Sequence, residues 1–375
     1  MTQNFWEKIR EDFPSTRYSI YLDHAAGGPI PVPVKEKIQE HLAENSVEAD
    51  FAWPKWMARR ERIRESIAAF IDCDPEEVTF VHSTSEGMNH IADLISHCGD
   101  VLTNESEFPS STVPWIYRKN KIVFQKTKKS KVCPAELQSL LSPNIQTILS
   151  SYVQYGTGYR QDMERLGVLK GERFLVVNAT QAFGCLPISF KKWNADFLCA
   201  NSYKWLMAGY GGGILIIKKR WLSKFQPDFV GWRSMKNADA MDNKKIELLD
   251  SASRYELGCP SFLTIFAVGA AVDYLGEIGI LKIEERIIEL TDYLIKKLEE
   301  SNFEILSCVE KQHRSGIVVF KIDDAQTVWK QLLVKKIFVS PRGGGLRVAP
   351  HFYNTFQEID VFIDTLNDIV ASHKT

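Results

Sequence analysis

The sequence predicts an α/β protein whose large domain is built on a mixed, mostly parallel sheet, followed by a smaller α+β domain. Three observations predict it. Apolar strand-like segments alternate with amphipathic helix-like ones over the first two thirds of the chain, the chain changes character after about residue 250, and its 375 residues suffice for two domains. We place the large domain at 18–250 and the small one at 1–17 together with 251–375.

Short apolar segments bounded by turn residues predict the strands of the large domain, and apolar spacing predicts the helices between them. The predicted strands are 78–82, 100–103, 121–125, 145–153, 173–178, 196–201 and 212–218. The predicted helices are 85–97, 134–141 and 162–169. In the small domain, long helices at 260–277 and 280–300 precede FEIL, SGIVVFKI, a helix at 324–334, LRVAP and a closing helix from 356.

The overall composition argues against several classes of protein. Lys and Arg together number 46 against 47 Asp and Glu, and the two signs are interleaved, so no nucleic acid or anionic membrane partner is expected. The seven cysteines are scattered and contain no C-x-x-C pair, which favours a reducing compartment and predicts no metal site. The sequence shows no secretory leader and no apolar run of membrane-spanning length, so we expect a cytoplasmic protein.

Polar residues that directly follow apolar strands are the candidate functional residues, because ligands of open α/β sheets bind beyond the carboxyl ends of the strands. In HSTSEG (82–87), Ser83, Thr84 and Ser85 offer hydroxyls and backbone N–H groups at the start of a helix. That arrangement fits an anion-binding cup, and it fits a simple helix N-cap equally well. SYVQYGTG (151–158) delivers Gln154 and Tyr155 after another strand.

Two further strand ends carry amides and a lysine. VVNATQ (176–181) places Asn178 and Gln181 after a strand, where they either meet a ligand or satisfy loop backbone groups. In NSYKWLMAGYGGG (201–213), Lys204 follows a strand among aromatic and hydroxyl side chains, with glycines behind it. A lysine that is partly desolvated in this way has a lowered pKa and can attack a carbonyl, whereas most lysines are simply exposed.

The order of these motifs resembles the class V aminotransferase family of pyridoxal-phosphate (PLP) enzymes, which includes cysteine desulfurases, selenocysteine lyases, kynureninases and isopenicillin N epimerase. The resemblance runs nearly end to end. YLDHAAGGPIP (21–31) and ESEFPSSTVPW (105–115) resemble the family's N-terminal and ring-stacking segments. RYELGCPSF (254–262) resembles its E-x-G-T-P turn, and LRVAPHFYNTFQEID (346–360) resembles its R-x-S…YNT-x-E-E-I-D signature.

The resemblance implies PLP fold type I, the cofactor pyridoxal 5'-phosphate and a role for each matching position. Lys204 would form the Schiff base and then carry the proton at the substrate's Cα. Arg347 would clamp the substrate's α-carboxylate with its two-pronged guanidinium. The positions implied to bind the cofactor are Thr84, Ser85, Asn201 and Tyr203 at the phosphate, Phe108 stacked on the ring, Gln181 with Gln154 or Tyr155 at the 3-hydroxyl, Asn178 at the ring nitrogen, and Cys259.

The resemblance also implies a homodimer, because family dimers lend the turn that contains Cys259 and Ser261 to the neighbour's phosphate site.

At two places the sequence differs from the family pattern in a way that affects the expected reaction. The stretch IFVSPRGGGLR (337–347) lacks the catalytic cysteine that desulfurases carry shortly before the carboxylate-binding arginine, which disfavours a sulfur relay. Asn178 replaces the usual aspartate, so the negative charge that keeps the ring nitrogen protonated is missing.

We therefore expect a PLP-dependent enzyme that acts on an amino acid or related amine. Aminotransferase activity ranks first because it prevails in the family. A lyase, desulfurase-like or epimerase reaction is the alternative, and Asn178 favours it because a neutral amide supports a weaker electron sink. A second alternative is a PLP-fold protein that has lost catalysis and serves as a binding partner, although the presence of Lys204 and Arg347 argues against it.

Overall fold

The computed structural model of the protein describes residues 2–128 and 131–373. Its α-helices are α1 (Thr2–Arg10), α2 (Val32–Glu48), α3 (Trp53–Ile71), α4 (Thr84–Ile95), α5 (Pro109–Tyr117), α6 (Pro134–Leu140), α7 (Met163–Leu169), α8 (Lys219–Leu222), α9 (Phe262–Ile278), α10 (Ile280–Glu300), α11 (Ala325–Val334) and α12 (Phe356–Ser372). Its strands are β1 (Ile20–Tyr21), β2 (Val78–Val81), β3 (Asp100–Asn104), β4 (Ile122–Gln125), β5 (Ile145–Ser151), β6 (Phe174–Asn178), β7 (Phe197–Asn201), β8 (Gly213–Ile217), β9 (Val318–Phe320), β10 (Ile337–Phe338), β11 (Ser340–Arg342) and β12 (Gly345–Val348).

A seven-stranded sheet has the order β2-β8-β7-β6-β5-β3-β4 and is formed by strands between Val78 and Ile217. Only β8 runs against the other strands of this sheet, since it pairs antiparallel with both β2 and β7. Every residue of β6, β7 and β8 is buried, as is usual for strands covered on both faces by helices. The prediction of a mixed, mostly parallel α/β sheet is confirmed, and all seven predicted strands are present.

Helices pack on both faces of this sheet and create two apolar layers. On one face, Ile67 of α3 and Phe266 of α9 belong to the same core cluster as Leu198 of β7. On the other face, Met88 and Ile91 of α4 pack with the outward residues of β7 and β8. The carboxyl ends of the parallel strands are thereby held at one edge of a rigid three-layer body.

The C-terminal part contains a smaller antiparallel sheet in the order β11-β12-β9, with α10, α11 and α12 contributing to its core. Strand β1 pairs in parallel with β10, so the segment that follows β1 lies beside the β11–β12 hairpin. FEIL, expected among the strands of this domain, forms only an isolated bridge between Ile305 and Phe320. The N–H groups of Leu306 and Ser307 both donate to the Val319 carbonyl, which interrupts a regular ladder.

No single helix of the described residues is long and apolar enough to cross a membrane; α9 and α10 meet that test only as a pair, and they are bent by 77° at their junction. Within the same residues, no group of three or more His, Cys, Asp or Glu side chains is placed to hold a metal ion. All seven cysteines are free thiols.

The division into a large domain at 18–250 and a small one at 1–17 with 251–375 remains a prediction.

Candidate active site

Most of the residues singled out at the strand ends line one cavity at the carboxyl edge of the large sheet. Its empty volume is about 490 Å³, which includes space open to solvent. The parallel strands β5, β6 and β7 end in Ser151, Asn178 and Asn201, and all three side chains reach it. The lining residues are Ser83, Thr84, Ser85, Phe108, Ser110, Ser151, Val153, Tyr155, Asn178, Thr180, Gln181, Asn201, Tyr203 and Lys204.

Lys204 is the only basic residue among those lining residues, and its side chain is buried. Burial and, to a smaller extent, the charge of Arg347 lower the pKa of its amine while Asp23 raises it, and the net result is a pKa of about 8 instead of 10.5. Its Nζ lies 5.7 Å from the centre of the Phe108 ring and 5.8 Å from that of Tyr203. A large fraction of this amine is therefore neutral near pH 8 and able to act as a nucleophile or base.

The backbone of Lys204 is held by the segment that follows β1. The Gly28 N–H donates to the Tyr203 carbonyl over 2.8 Å. A Cβ atom at position 28 would lie 2.5 Å from the Lys204 carbonyl oxygen, so only glycine allows this close approach. The second glycine of the YLDHAAGG segment thus has a structural reason that the sequence alone did not reveal.

Helix α4 points its N-terminal turn at the cavity. Ser83 is the N-cap, and its hydroxyl accepts a hydrogen bond from the Glu86 N–H over 3.1 Å. Thr84 and Ser85, the first two helical residues, line the cavity, and the Thr84 hydroxyl lies 2.7 Å from that of Thr180. The N-cap prediction for HSTSEG is confirmed at Ser83, and the anion-binding cup stays a prediction for the next two residues, which lie at the positive end of the helix.

Asn178 and Gln181 are buried and bonded to the surrounding protein. Asn178 Oδ1 accepts from the Thr180 N–H over 3.0 Å, and its Nδ2 donates to Ser111 Oγ over 2.9 Å. Gln181 Oε1 accepts from the indole N–H of Trp205 over 2.8 Å, and its Nε2 donates to the Ala25 carbonyl over 2.9 Å. Sequence reasoning found both amides but none of these partners.

Arg347 lies on β12 beside the cavity. It donates to the Tyr155 carbonyl over 3.1 Å and to Asp23 Oδ1 over 3.2 Å, while its Nε is buried without a partner in the described structure. Ser340, opposite Arg347 in the β11–β12 hairpin, donates to the other oxygen of Asp23. Burial raises the pKa of Asp23, and Arg347 opposes that effect. The sequence predicted no role for Asp23, although this residue lies in the YLDHAAGGPIP segment that resembles the family.

Glu107 is a second functional candidate that the sequence did not reveal. Its buried carboxylate accepts hydrogen bonds from Ser151 N and Oγ, from Gln154 Nε2 over 2.8 Å and from Asn104 Nδ2 over 3.0 Å. These bonds tie the ends of β3 and β5 to the residue before Phe108. The Phe108 ring stands edge-on to Tyr155 with their centres 5.1 Å apart.

Cys259 does not line the cavity of this single chain, and its side chain is exposed. Gln154 is buried next to the cavity without lining it, and its Oε1 has no partner among the described residues. The Oδ1 atom of Asn201, which does line the cavity, is likewise buried and unpaired. A polar ligand in the cavity would supply the hydrogen bond that Asn201 Oδ1 lacks.

The model of the family "Aminotransferase class-V" matches residues 20–362. The chain belongs to this family. It is therefore a PLP-dependent enzyme of a family that includes aminotransferases and cysteine desulfurases, and its exact reaction is left open by that membership. The sequence-based assignments of family, fold and cofactor are confirmed.

Similar proteins cover nearly the whole chain. An uncharacterized aminotransferase, YcbU, of Bacillus subtilis is 25% identical over 96% of this chain and 97% of its own length. A probable cysteine desulfurase of Pyrococcus abyssi is 26% identical and covers 98% of both chains. A kynureninase of Bacillus mycoides is 25% identical over 97% of this chain and 92% of its own.

Solved structures share the fold. An apo cysteine desulfurase from Thermococcus onnurineus NA1 superposes with a TM-score of 0.88 at 24% identity and covers 98% of both chains. The cystine C–S lyase C-DES, in complex with cysteine persulfide, superposes with a TM-score of 0.86 at 19% identity and covers 95% of this chain and 99% of its own.

Proposed function

We propose that this enzyme acts on an α-amino acid or a closely related carboxylated amine, with Lys204 as the covalent anchor of the cofactor and the proton carrier at the substrate's Cα. One observation carries the proposal: a buried lysine with a pKa of about 8 shares a cavity with the N-terminus of α4 and lies beside a buried arginine. Bound PLP supplies an electrophilic carbonyl and a conjugated ring that accepts electrons from the substrate.

The residues of the cavity fit this cofactor. Thr84 and Ser85 at the positive end of α4, with Asn201 and Tyr203 across the cavity, would hold its phosphate. The half-exposed Phe108 ring would cover one face of the pyridine, and Gln181 would donate to the 3-oxygen, with Tyr155 nearby. Glu107 would fix Phe108 through its hydrogen bonds to the ends of two strands.

Arg347 would receive the substrate's carboxylate. Its Nε and the free hydrogens of its two Nη atoms remain available after the bonds to Tyr155 and Asp23. A guanidinium held in one orientation binds a carboxylate through two parallel hydrogen bonds, which a lysine does not offer. Orienting the substrate in this way would bring its α-amino group towards Lys204.

A lyase-type reaction is the second candidate, and Asn178 is the observation that favours it. An amide does not supply the negative charge that keeps the ring nitrogen protonated, so transamination, which needs strong delocalisation, would be slowed. No cysteine is among the residues that line the cavity in the described structure, which gives no support to a desulfurase-type sulfur relay. Aminotransferase activity remains the first candidate only because it is the commonest activity in the family.

We also propose a cytoplasmic homodimer in which the turn that contains Cys259 completes the neighbour's phosphate site. The exposed position of Cys259 outside the cavity of its own chain supports this arrangement. The free thiols of all seven cysteines are consistent with a reducing compartment. Light scattering of the purified protein would contradict the dimer if it gave a mass near 42.8 kDa at all concentrations.

The central test is cofactor attachment and turnover. With added PLP, the purified protein should show the visible absorption band of a lysine-bound cofactor, and Lys204→Ala should abolish it because the attacking amine is lost. Lys218→Ala, which removes a half-buried lysine bonded to Asn194, is the matched control and should keep the band. Amino-acid substrates would then be screened for keto acid, sulfide or racemised product.

Absence of the band in the wild-type protein would contradict the proposal. A band that never changes across the amino-acid panel would favour the rival, a PLP-fold binding protein without catalysis. The products themselves separate transamination from cleavage and racemisation.

A further inference from the structure

The two amides of the cavity are each held in one orientation by an N–H group, which can only donate. The Thr180 backbone N–H faces one end of the Asn178 amide at 3.0 Å, and the indole N–H of Trp205 faces one end of the Gln181 amide at 2.8 Å. Because an N–H group only donates, the atom that faces it must be the amide oxygen. Reversing either amide would bring two donors together.

The nitrogen ends of both amides therefore remain for other partners. Asn178 Nδ2 donates to Ser111 Oγ, and Gln181 Nε2 donates to the Ala25 carbonyl, each over 2.9 Å. An amide nitrogen carries two hydrogens, and the described residues offer no second acceptor to either nitrogen. Each amide consequently has one N–H left, and both residues line the cavity.

We propose that Asn178 and Gln181 each turn the remaining N–H of their amide, and no carboxylate, towards the cofactor ring, and that the site thereby selects the ring with an unprotonated nitrogen and an ionised 3-oxygen. This inference rests on the proposed function. An unprotonated pyridine nitrogen accepts the Asn178 N–H, whereas a protonated one would place two donors face to face. An ionised 3-oxygen accepts the Gln181 N–H as a charge-assisted bond.

The charges around the cavity agree with this selection. None of the lining residues in the described structure is Asp or Glu, so no carboxylate stands where it would protonate the ring nitrogen. The two nearby acids are engaged elsewhere: Glu107 accepts from Ser151 and Gln154, and Asp23 accepts from Ser340 and Arg347. Ser111 and Thr180 thus act as positioning residues for Asn178.

The consequence concerns the class of reaction. Loss of an aspartate's charge removes support worth roughly 1 to 3 pKa units at the ring nitrogen, which corresponds to about a 10- to 1000-fold slowing of steps that need a fully developed electron sink. Reactions in which a good leaving group departs from the substrate's side chain depend less on that sink. The geometry therefore favours amino acids with a leaving group at Cβ over transamination substrates.

The ring nitrogen can be observed directly. The protein would be reconstituted with PLP labelled with ¹⁵N in the ring, and its ¹⁵N chemical shift would be measured by solid-state NMR, since protonation moves this signal far upfield. The wild-type protein should show the unprotonated signal. Asn178→Asp should show the protonated signal, because a carboxylate at this position stabilises the positive charge.

Ser111→Ala is the control for loosening the site without adding charge. It should keep the unprotonated signal, because the Thr180 N–H still fixes the amide oxygen. A protonated signal in the wild-type protein or in Ser111→Ala, or an unprotonated one in Asn178→Asp, would overturn the inference. A sample without the absorption band of a lysine-bound cofactor would instead contradict the proposed function, and the inference with it. If the aspartate variant fails to fold, the wild-type and Ser111→Ala signals decide.

Discussion

At the scale of single residues, the reactivity of Lys204 depends on its burial and on two charges from distant parts of the chain. Burial and Arg347 lower the pKa of its amine, and Asp23 raises it, with about 8 as the result. Only the neutral amine attacks a carbonyl. At pH 7.5 its neutral fraction is roughly two orders of magnitude above that of an ordinary lysine with a pKa of 10.5.

We expect the rate of PLP attachment to cofactor-free protein to rise with pH and to level off above a midpoint near 8. Asp23→Asn removes the charge that raises the pKa of Lys204, so its midpoint should move to lower pH. The measurement is the rate of appearance of the absorption band in stopped-flow experiments from pH 6 to 10. Asp93→Asn, which breaks the ion pair with Arg118 away from the cavity, should leave the midpoint in place. A midpoint that rises in Asp23→Asn would contradict this electrostatic account.

The sequence identified most of the site at this scale because strand ends are visible in it. Asn178, Asn201 and Lys204 follow apolar runs, and parallel strands bring such positions together. The sequence did not indicate the hydrogen-bond partners that orient the residues of the site. Asp23 and Arg347 are 324 positions apart, and Trp205 reaches Gln181 only because the chain turns back after β7. Pairings of this kind follow from packing, which no local pattern encodes.

At the scale of elements, the sequence revealed strands better than it revealed polar helices. Strands β6 to β8 are continuous apolar runs because helices cover both of their faces. Helix α2 was not predicted, and only Val34 and His41 of its 17 residues are buried. Its apolar stripe is too sparse to show a helical period. In the β11–β12 hairpin, the LRVAP segment of β12 was expected, whereas β11 was expected only as part of a short glycine-rich stretch.

That hairpin offers a test of how Arg347 is held. Gly343 and Gly344 form its turn with φ of +67° and +84°. A Cβ atom on Gly343 would lie 2.0 Å from the Gly156 carbonyl oxygen, in the loop that also contains Tyr155, whereas one on Gly344 would meet only Leu306 at 3.9 Å. Both alanine variants share the strain of a positive φ, which costs about 1 kcal/mol or more. Only Gly343→Ala must also displace the loop.

We expect Gly344→Ala to lower the free energy of unfolding by about 1 kcal/mol and Gly343→Ala by about 1 to 3 kcal/mol more. Urea denaturation measures both values. Because the displaced loop carries the Tyr155 carbonyl that accepts from Arg347, Gly343→Ala should also raise KM for a carboxylated substrate. Equal losses of stability in the two variants would contradict the expected clash between a side chain at position 343 and the Gly156 carbonyl.

At the scale of the whole molecule, a buried cluster joins the N-terminal segment, the lysine segment and the C-terminal segment. His24 lies edge-on to His351 with ring centres 4.8 Å apart, and it contacts the Tyr353 hydroxyl at 3.1 Å. His351 bonds to the Trp205 carbonyl over 3.0 Å. Burial lowers the pKa of both histidines, that of His351 to about 3.

These histidines should make the fold sensitive to acid. In the unfolded chain they bind protons below pH 6.5, whereas in the folded protein His351 stays neutral down to about pH 3. Between those values the unfolded state binds more protons, so the stability that is present above pH 6.5 is lost as the pH falls. For His351 alone, the loss between pH 6.5 and pH 5 amounts to about 2 kcal/mol.

Urea unfolding of the wild-type protein and of His351→Gln at pH 7.5 and pH 5 tests this. The variant is expected to be less stable at pH 7.5, because the bond to the Trp205 carbonyl changes, but it should lose about 2 kcal/mol less than the wild type on going to pH 5. His97→Gln, which replaces an exposed histidine outside this cluster, is the control variant and should keep the wild-type dependence. An equal pH dependence in His351→Gln and the wild type would show that His351 takes up its proton without unfolding. The buried cluster that joins the three segments would then accommodate a protonated histidine, although burial disfavours a charge there.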